Sequence, residues 1–254
     1  MIHKIIVISN LGLGDNIFSI SLIRFFLENY QVDFMCKKNN IENFILFFDK
    51  ITNLTFIPVE NQYDVDSYMN RNNHLYNRIF KSGCMMNICS NLSIFPFFLY
   101  DDINLSRSIL NKYFSIPDTK KNNDLFELIK NYSYVVINND TSDYKNIFNI
   151  DKELKKLNIN PNDTIIINTQ INYYKKEHKY FNIAEQFVFQ KLVDYKKTMS
   201  NAFKILISDS SLFCMTIQLN LKSSENKLYN RPNNKFINWK ELVNYYGNKF
   251  IIGN

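Results

Sequence analysis

Short apolar runs alternate with amphipathic segments along the first part of the chain, and this alternation constrains the fold more than any other feature. Ile5–Ser9, Gln31–Cys36 and Leu54–Val59 are short and rich in β-branched and aromatic residues, as buried strands are. Ile17–Asn29 and Asn40–Lys50 place apolar residues at helical spacing. An alternating order of strands and helices predicts right-handed crossovers and a parallel sheet.

The middle of the chain is less periodic. We interpret Tyr63–Lys81 as polar and helical in part, and Cys84–Cys89 as a further strand. Leu105–Phe114 has the spacing of a helix that ends before Pro117. The polar segment Asp118–Asp124 comes next, and we place a domain boundary there.

A second series of strands and helices follows that boundary. Its predicted strands are Tyr134–Asn138, Thr164–Asn168, Phe187–Phe189 and Phe203–Ser208. Its predicted helices are Asp151–Leu157, Leu192–Ala202, Asp209–Leu219 and Trp239–Tyr246. The sequence therefore predicts an α/β protein with two Rossmann-like domains, residues 1–123 and 124–254.

The composition excludes a disordered chain and argues against a zinc site. The 254 residues are 46% hydrophobic, which is enough for one large core or two small ones. No two cysteines form a CxxC pair, and only three histidines could join them. Unpaired thiols are typical of a reduced, cytoplasmic setting. The four cysteines are Cys36, Cys84, Cys89 and Cys214.

The net charge of +6 comes largely from scattered lysines. It fits either a solvated surface or attraction to the phosphates of a nucleotide, a lipid head group or an anionic glycan. No nucleic-acid motif is present, so no nucleic-acid partner is expected. The most apolar run, Leu92–Tyr100, is short and contains Pro96, so we expect no transmembrane segment and at most peripheral membrane contact.

Two of the five glycines lie at the first strand-to-helix junction, in the segment Asn10–Asn16. Gly12 and Gly14 would permit a tight turn and the close approach of a ligand. Asp15 would lie at the carboxyl end of the first strand, where open α/β sheets bind their ligands. Asp15 would also cap the following helix, and the two roles are compatible.

A second polar junction, Ile207–Ser211, joins a strand to a helix in the second half of the chain. Hydroxyl groups and backbone N–H groups at such a junction suit a diphosphate. The alternative is helix capping by a serine or by Asp209.

Together these junctions resemble GT-B-fold glycosyltransferases of the heptosyltransferase-like family, glycosyltransferase family 9. His3–Val59 resembles the family's first strand, loop and helix, with Leu13-Gly14-Asp15 as the LGD-like triplet. Lys204–Leu219 resembles its donor motif, a strand followed by D-[ST]-G, which Asp209 and Ser210 match. The chain departs from the family pattern at Ser211, where glycine is usual, and at Cys214, where histidine is usual.

This resemblance implies two Rossmann-like domains that face each other across a cleft, the first binding a glycan or glycolipid acceptor and the second a nucleotide-sugar donor. It implies an inverting transfer without a metal or other cofactor, in which the nucleotide-sugar is a co-substrate. Asp15 would be the general base, within an acceptor loop that includes Gly12, Gly14 and Asn16. The residues implied in binding the donor phosphates are Lys145, Asp209, Ser210 and Ser211.

Three alternatives remain open from the sequence. Asp64-Val65-Asp66 is a DxD triplet of the kind that metal-dependent glycosyltransferases use to hold a divalent ion. A non-catalytic nucleotide- or glycan-binding protein with a degenerate fold would explain Ser211 and Cys214. A dehydrogenase is less well supported, because Ile17 stands where the dinucleotide fingerprint needs its third glycine.

Overall fold

The computed structural model describes residues 3–9, 11–83, 95–232, 239–247 and 249–253, and it divides the chain into two compact units. Unit one is Met1–Pro117 and unit two is Asp118–Asn254, so the division falls at 117/118 and not at the predicted 123/124. The polar segment predicted as a boundary instead begins a helix. The Thr119 side chain accepts a hydrogen bond from the Asn122 N–H, which caps that helix.

Unit one contains a four-stranded parallel sheet with the order β3-β2-β1-β4. Its strands are β1 (His3–Ile8), β2 (Tyr30–Lys37), β3 (Leu54–Val59) and β4 (Arg78–Lys81). The three strands predicted from apolar runs are confirmed. β4 was not predicted, because an exposed edge strand has no apolar run that would reveal it. It lies within the segment predicted to be partly helical. The strand predicted at Cys84–Cys89 lies outside the described residues.

The helices of unit one are shorter than the sequence predicts. Where one helix was expected over Ile17–Asn29, two follow each other, and the first begins inside the predicted glycine turn. The helices are α1 (Leu13–Phe18), α2 (Ile20–Leu27), α3 (Lys38–Phe44), α4 (Gln62–Asn72), α5 (Phe98–Asp101) and α6 (Ile109–Lys112). Single 3-10 turns follow α3 and α4, at Ile45–Phe48 and Asn73–Leu75.

A buried carboxylate ties the chain after α4 to the sheet of unit one. Asp33, in the interior of β2, is 2% exposed. Lys4 Nζ on β1 lies 2.8 Å from its Oδ2, and the Tyr76 hydroxyl donates to the same oxygen at 2.7 Å. Tyr68 on α4 then bonds to the Tyr76 hydroxyl. A buried charge is tolerated only with such partners, so this network fixes α4 over the sheet.

Unit two contains a five-stranded parallel sheet with the order β6-β5-β7-β8-β9. Its strands are β5 (Tyr134–Asn138), β6 (Ile165–Asn168), β7 (Lys204–Ser208), β8 (Asn226–Tyr229) and β9 (Phe250–Gly253). β5, β6 and β7 were predicted from their apolar runs and are confirmed. β8 was not recognised because it begins with buried Asn226, whose side chain accepts a hydrogen bond from the Ile205 N–H.

The structure has helices in all four segments predicted as helical in unit two, whereas the helices Lys120–Ile129 and Phe181–Glu185 were not predicted and one strand prediction is wrong. Phe187–Phe189 is a turn, in which Phe189 has a φ of 52° and is 75% exposed. The helices are α7 (Lys120–Ile129), α8 (Ile150–Lys156), α9 (Phe181–Glu185), α10 (Lys196–Asn201, after a 3-10 turn at Leu192–Tyr195), α11 (Ser211–Thr216) and α12 (Trp239–Tyr245). Within the described part of the chain, no helix is long and apolar enough to span a membrane.

A second buried carboxylate ties α8 to β8. Glu153 on α8 accepts a hydrogen bond from the Tyr229 hydroxyl at 2.6 Å and from Lys227 Nζ at 3.0 Å. Lys156, one turn further along α8, contacts its other oxygen. Burial alone raises the pKa of Glu153, but these bonds and the charge of Lys227 outweigh burial and lower the pKa to about 2.

We predict that Glu153→Gln flattens the acid limb of the stability curve. A carboxyl whose folded pKa is depressed stabilises the fold above its unfolded pKa of about 4.5, and that contribution is lost as the pH falls toward 2. The contribution is about 3 kcal/mol at neutral pH. Denaturant unfolding between pH 2 and 7 measures it. Glu127→Gln, which removes an exposed i,i+3 pair with Lys130, is the matched control and should leave the wild-type slope. Equal acid limbs for wild type and Glu153→Gln would contradict the prediction.

Candidate functional site

Each sheet reverses its strand order once, and the reversal marks a preferred place for a ligand. In unit one the chain passes from β1 to β2 and β3 and then returns to place β4 on the other side of β1. In unit two it passes from β5 to β6 and then places β7 on the other side of β5. Crossovers leave in opposite directions at such a point, so a crevice forms outside the carboxyl ends of the strands. The two junctions singled out in the sequence follow β1 and β7, at these reversals.

Asp15 is the third residue of α1 and closes the start of that helix. Its Oδ2 accepts a hydrogen bond from the Gly12 N–H at 2.8 Å. A Cβ at Gly12 would lie 3.0 Å from the same oxygen, so the small residue permits this approach. Gly12 has a φ of −67°, and Gly14 lies inside α1. The predicted glycine turn over Asn10–Asn16 is therefore corrected, because α1 starts at Leu13.

Asn16, the remaining residue of the predicted acceptor loop, is fully buried. Its Oδ1 accepts a hydrogen bond from the Ser9 hydroxyl at 3.1 Å, which joins α1 to the end of β1. Its Nδ2 is buried and has no partner among the described residues. The buried Asn16 side chain thus positions the start of α1 against the end of β1, whereas the neighbouring Asp15 is partly exposed.

Gly83 closes the other side of the reversal in unit one, and sequence reasoning missed it. Ser82 donates its N–H to the Ile8 carbonyl at 3.0 Å, which continues the pairing of β4 with β1. Gly83 then has a φ of 74°, and a Cβ there would lie 2.6 Å from Leu11 Cδ1. The loops after β1 and β4 are therefore in contact. A glycine directly after a strand was the available signal, but β4 itself was not recognised.

In unit two a polar network joins the ends of the three neighbouring strands. Asn138 ends β5, and its Nδ2 donates to the Thr169 hydroxyl, just after β6, at 2.9 Å. The Ser208 hydroxyl, at the end of β7, lies 3.0 Å from Asn138 Oδ1 and 3.0 Å from the Asp140 carbonyl. Asn138 and Ser208 are buried, so this network fixes the loop ends without being open to solvent.

Three of the donor residues implied by the resemblance, Asp209, Ser210 and Ser211, directly follow Ser208 along the chain. Ser210 is the N-cap of α11: its hydroxyl accepts from the Phe213 N–H at 3.4 Å and donates to Asn138 Oδ1 at 3.3 Å. Ser211 is the first residue of α11 and is partly exposed, and Cys214 is buried further along the same helix. Asp209 precedes the cap and is 1% exposed. Capping thus accounts for the Ser210 side chain, as the alternative interpretation held.

Lys145 lies in the loop after β5, but it is only loosely held. Its side chain is 69% exposed, and its Nζ lies 3.2 Å from Asp140 Oδ2. Asp140 also accepts a hydrogen bond from the Asn146 N–H at 2.8 Å, which shapes the loop. The structure therefore pairs Lys145 with Asp140, and no contact joins it to Asp209 or Ser210 among the described residues.

Arg231 is the charged residue that sequence reasoning missed at this edge. It follows β8, and its Nε and Nη2 lie 3.3 and 3.5 Å from the two carboxylate oxygens of Asp209. Burial lowers the pKa of Arg231, but the negative charges of Asp209 and Asp143 outweigh burial and raise it. An arginine in a lysine-rich chain was the available signal, and it was overlooked because β8 was not recognised.

The DxD triplet lies in the first turns of α4. Asn61 caps this helix by accepting from the Asp64 N–H at 3.2 Å, and Asp64 Oδ2 accepts in return from the Glu60 N–H at 2.9 Å. Asp66 accepts from the Gln62 side chain. Residues two apart on a helix point about 200° away from each other, which does not bring two carboxylates to one ion. Among the described residues, no three His, Cys, Asp or Glu side chains group as metal ligands.

Comparison with known proteins supplies a structural relationship and no sequence relationship. No family model matches the chain, and no curated protein matches it. The glycosyl transferase family 9 protein from Veillonella parvula DSM 2008 superposes over 99% of this chain and 86% of its own, with a TM-score of 0.59 and 9% identity. The chain has the fold of a family 9 glycosyltransferase. A structure of the E. coli heptosyltransferase WaaC with ADP-2-deoxy-2-fluoro heptose covers 99% of this chain and 93% of its own, with a TM-score of 0.52 and 12% identity.

The resemblance inferred from the sequence is thus confirmed as a likeness of fold to family 9. It rested on two short junctions, and the superposition extends it to the order of elements along nearly the whole chain. With identities this low, the roles of Asp15, Lys145, Asp209, Ser210 and Ser211 remain predictions.

We predict that Gly83→Ala destabilises unit one through crowding at its strand reversal. A left-handed φ costs an L-residue about 1–2 kcal/mol, and crowding against Leu11, Leu99 and Phe98 adds about 1–3 kcal/mol. Gly247→Ala is the matched control, because Gly247 has a φ of 81° with no atom within 4 Å of a Cβ. Denaturant midpoints of the two variants separate strain from crowding. Equal losses of stability would show that the loops after β1 and β4 are not closely packed.

Proposed function

We propose that this chain is a glycosyltransferase that moves a sugar from a nucleotide-sugar donor to a hydroxyl group of a glycan or glycolipid acceptor. The proposal includes inversion at the anomeric carbon and no requirement for a metal. The observation that carries it is the polar cluster at the strand reversal of unit two, in a chain that has the fold of a family 9 glycosyltransferase.

The donor would bind at that cluster, at the carboxyl ends of β5 and β7. Open α/β sheets bind nucleotides at such a reversal. The described groups there suit phosphate: Arg231 is a cation, and Ser210 and Ser211 carry hydroxyl groups. WaaC, which shares the fold, has been seen with an ADP-heptose analogue, which supports a nucleoside diphosphate sugar as the donor class.

Asp15 would act as the general base at the other reversal. Its carboxylate would take the proton from the acceptor hydroxyl while that oxygen attacks the anomeric carbon, and the nucleoside diphosphate would leave from the opposite face. A single displacement of this kind inverts the configuration. A carboxylate accepts up to about four hydrogen bonds, so the bond from the Gly12 N–H leaves this role open.

Metal independence rests on the way in which the leaving group is neutralised. A diphosphate that departs gains negative charge, which either a divalent ion or fixed cations and hydrogen-bond donors can stabilise. The carboxylates of the DxD triplet diverge on α4, whereas Arg231 is fixed at the reversal of unit two. These observations favour protein groups over a metal ion bound at the triplet.

A non-catalytic nucleotide- or glycan-binding protein is the second candidate. One observation favours it: capping of α1 accounts for the presence of Asp15 without any catalytic role. The same is true of Ser210 at α11. Binding and turnover must therefore be measured separately.

The test is a thermal-shift panel of nucleoside diphosphates and their sugars, with and without EDTA, followed by donor-consumption assays. We predict that one nucleotide raises the Tm without added metal, because binding to the folded state stabilises it. Asp15→Asn should keep that shift and lose turnover by about 10²–10⁴-fold. The matched control is Asp64→Asn, since Asp64 also caps a helix through the preceding backbone N–H, and it should keep both.

Each other outcome rejects part of the proposal. If no nucleotide changes the Tm, the nucleotide-sugar donor is wrong. If a nucleotide binds to the wild type without turnover on any acceptor hydroxyl or water, the non-catalytic candidate stands. If EDTA abolishes activity and Asp64→Asn reproduces that loss, the metal-dependent alternative replaces the proposal.

A further inference from the structure

Arg231 is fixed in place by a buried carboxylate. Asp209 is 1% exposed, and its two oxygens lie 3.3 and 3.5 Å from the Nε and Nη2 of Arg231. The Asp209 N–H donates to the Tyr229 carbonyl at 3.0 Å, which joins the chain after β7 to the end of β8. Both members of the pair therefore project from neighbouring strand ends, and the guanidinium group has little freedom to move.

The outer edge of the same guanidinium group is accessible. An arginine has five N–H groups, and the contacts to Asp209 use two of them. Nη1 lies 3.5 Å from Asp143 Oδ2, and Arg231 has no further partner among the described residues. The Arg231 side chain is 29% exposed and that of Asp143 is 64% exposed. A solvated carboxylate thus occupies the position that an incoming anion would take.

We propose that Arg231 binds the diphosphate of the donor and stabilises the charge of the leaving group, with Asp209 as its positioning residue. This inference rests on the proposed function. The planar guanidinium group matches two phosphate oxygens with parallel N–H bonds, and a prefixed arginine loses little entropy when it binds. Its place beside the reversal of β5 and β7 is where a nucleotide is expected.

Asp143 would compete with the diphosphate for Arg231. The charges of Arg231, Asp209 and Asp143 add up to one negative charge, so a diphosphate must displace Asp143 to be attracted. An exposed carboxylate at 3.5 Å is held weakly and returns to water at low cost. Removal of its charge should therefore strengthen phosphate binding, an effect that a purely structural Arg231–Asp209 pair would not produce.

Arg231 also fits the role better than Lys145, the cation that the sequence suggested. Lys145 is 69% exposed and is paired with Asp140, and no other described residue directs its ammonium group toward the end of β7. Arg231 contacts Asp209, which directly precedes the Ser210 cap. Lys145→Ala therefore tests the alternative cation in the same experiment.

The experiment measures the Kd of inorganic pyrophosphate and of nucleoside diphosphates by calorimetry for wild type, Arg231→Ala, Arg231→Lys, Asp143→Asn and Lys145→Ala. Arg231→Ala should raise the Kd about 10- to 100-fold, as expected for loss of a charge-assisted hydrogen bond. Arg231→Lys should recover part of the affinity, since it keeps the charge and loses the fork. Asp143→Asn should lower the Kd several-fold, and Lys145→Ala should change it less than about threefold.

A folding control accompanies the alanine variant. Arg231→Ala removes the guanidinium contacts of the buried Asp209 carboxylate, which destabilises the fold. The double variant Arg231→Gln with Asp209→Asn removes both charges and keeps the volume, so it should fold and still bind pyrophosphate weakly. Unchanged affinity in this double variant, in Arg231→Lys and in Asp143→Asn would overturn the inference.

The failure of this inference is distinguishable from failure of the proposed function. If pyrophosphate binding depends on Arg231 but no sugar is transferred, Arg231 is an anion site and the transferase proposal fails. If sugar is transferred and the Arg231 variants bind the donor as the wild type does, the transferase proposal holds and the inference fails. If neither pyrophosphate nor any nucleotide binds to the wild type, the inference is rejected outright.

Discussion

The reversal of strand order in each parallel sheet is the constraint on which both candidate sites depend. A parallel sheet that grows outward from a middle strand sends its two crossovers in opposite directions, so the loops at that strand's carboxyl end separate. In unit two polar side chains join the strand ends below these loops, since Asn138 bonds to Thr169 on one side and to Ser208 on the other. In unit one the equivalent loops are in apolar contact at Gly83 and Leu11. The same topology therefore has a polar closure in one unit and an apolar closure in the other.

Three buried carboxylates show how the chain separates structural charge from charge available to a ligand. Asp33 is surrounded by Lys4 and Tyr76, and Glu153 by two lysines and Tyr229. Both hold a helix, or the chain after it, against a strand. Asp209 differs in its position, because its partly exposed partner Arg231 lies at the carboxyl ends of the strands, beside the reversal of unit two. A buried pair whose cation is partly exposed provides a fixed positive group, which flexible surface lysines do not.

The sequence predicted the strands that are apolar runs and missed those that are not. β1, β2, β3, β5, β6 and β7 are apolar runs whose lengths were read within about two residues. β4 is largely exposed, and β8 begins with Asn226, whose side chain forms hydrogen bonds with backbone groups. Neither strand therefore has the apolar sequence pattern by which buried strands are recognised. Because β8 was not recognised in the sequence, Arg231 was not recognised as a residue at the carboxyl end of a strand. The strand predicted at Phe187–Phe189 was wrong for the opposite reason: three apolar or aromatic residues do not form a strand without a neighbouring strand to pair with.

Asp15 and Asp64 show why local sequence could not identify the candidate base by itself. Each is the third residue of a helix, and each accepts a hydrogen bond from the backbone N–H that precedes the helix. A pattern search treats both as plausible functional carboxylates, one in an LGD-like triplet and one in a DxD triplet. Topology separates them: the helix of Asp15 follows β1, beside the reversal, whereas that of Asp64 follows β3, the edge strand farthest from it. Capping explains why a carboxylate stands at either position, and only the position within the sheet places one of them where open α/β sheets bind their ligands.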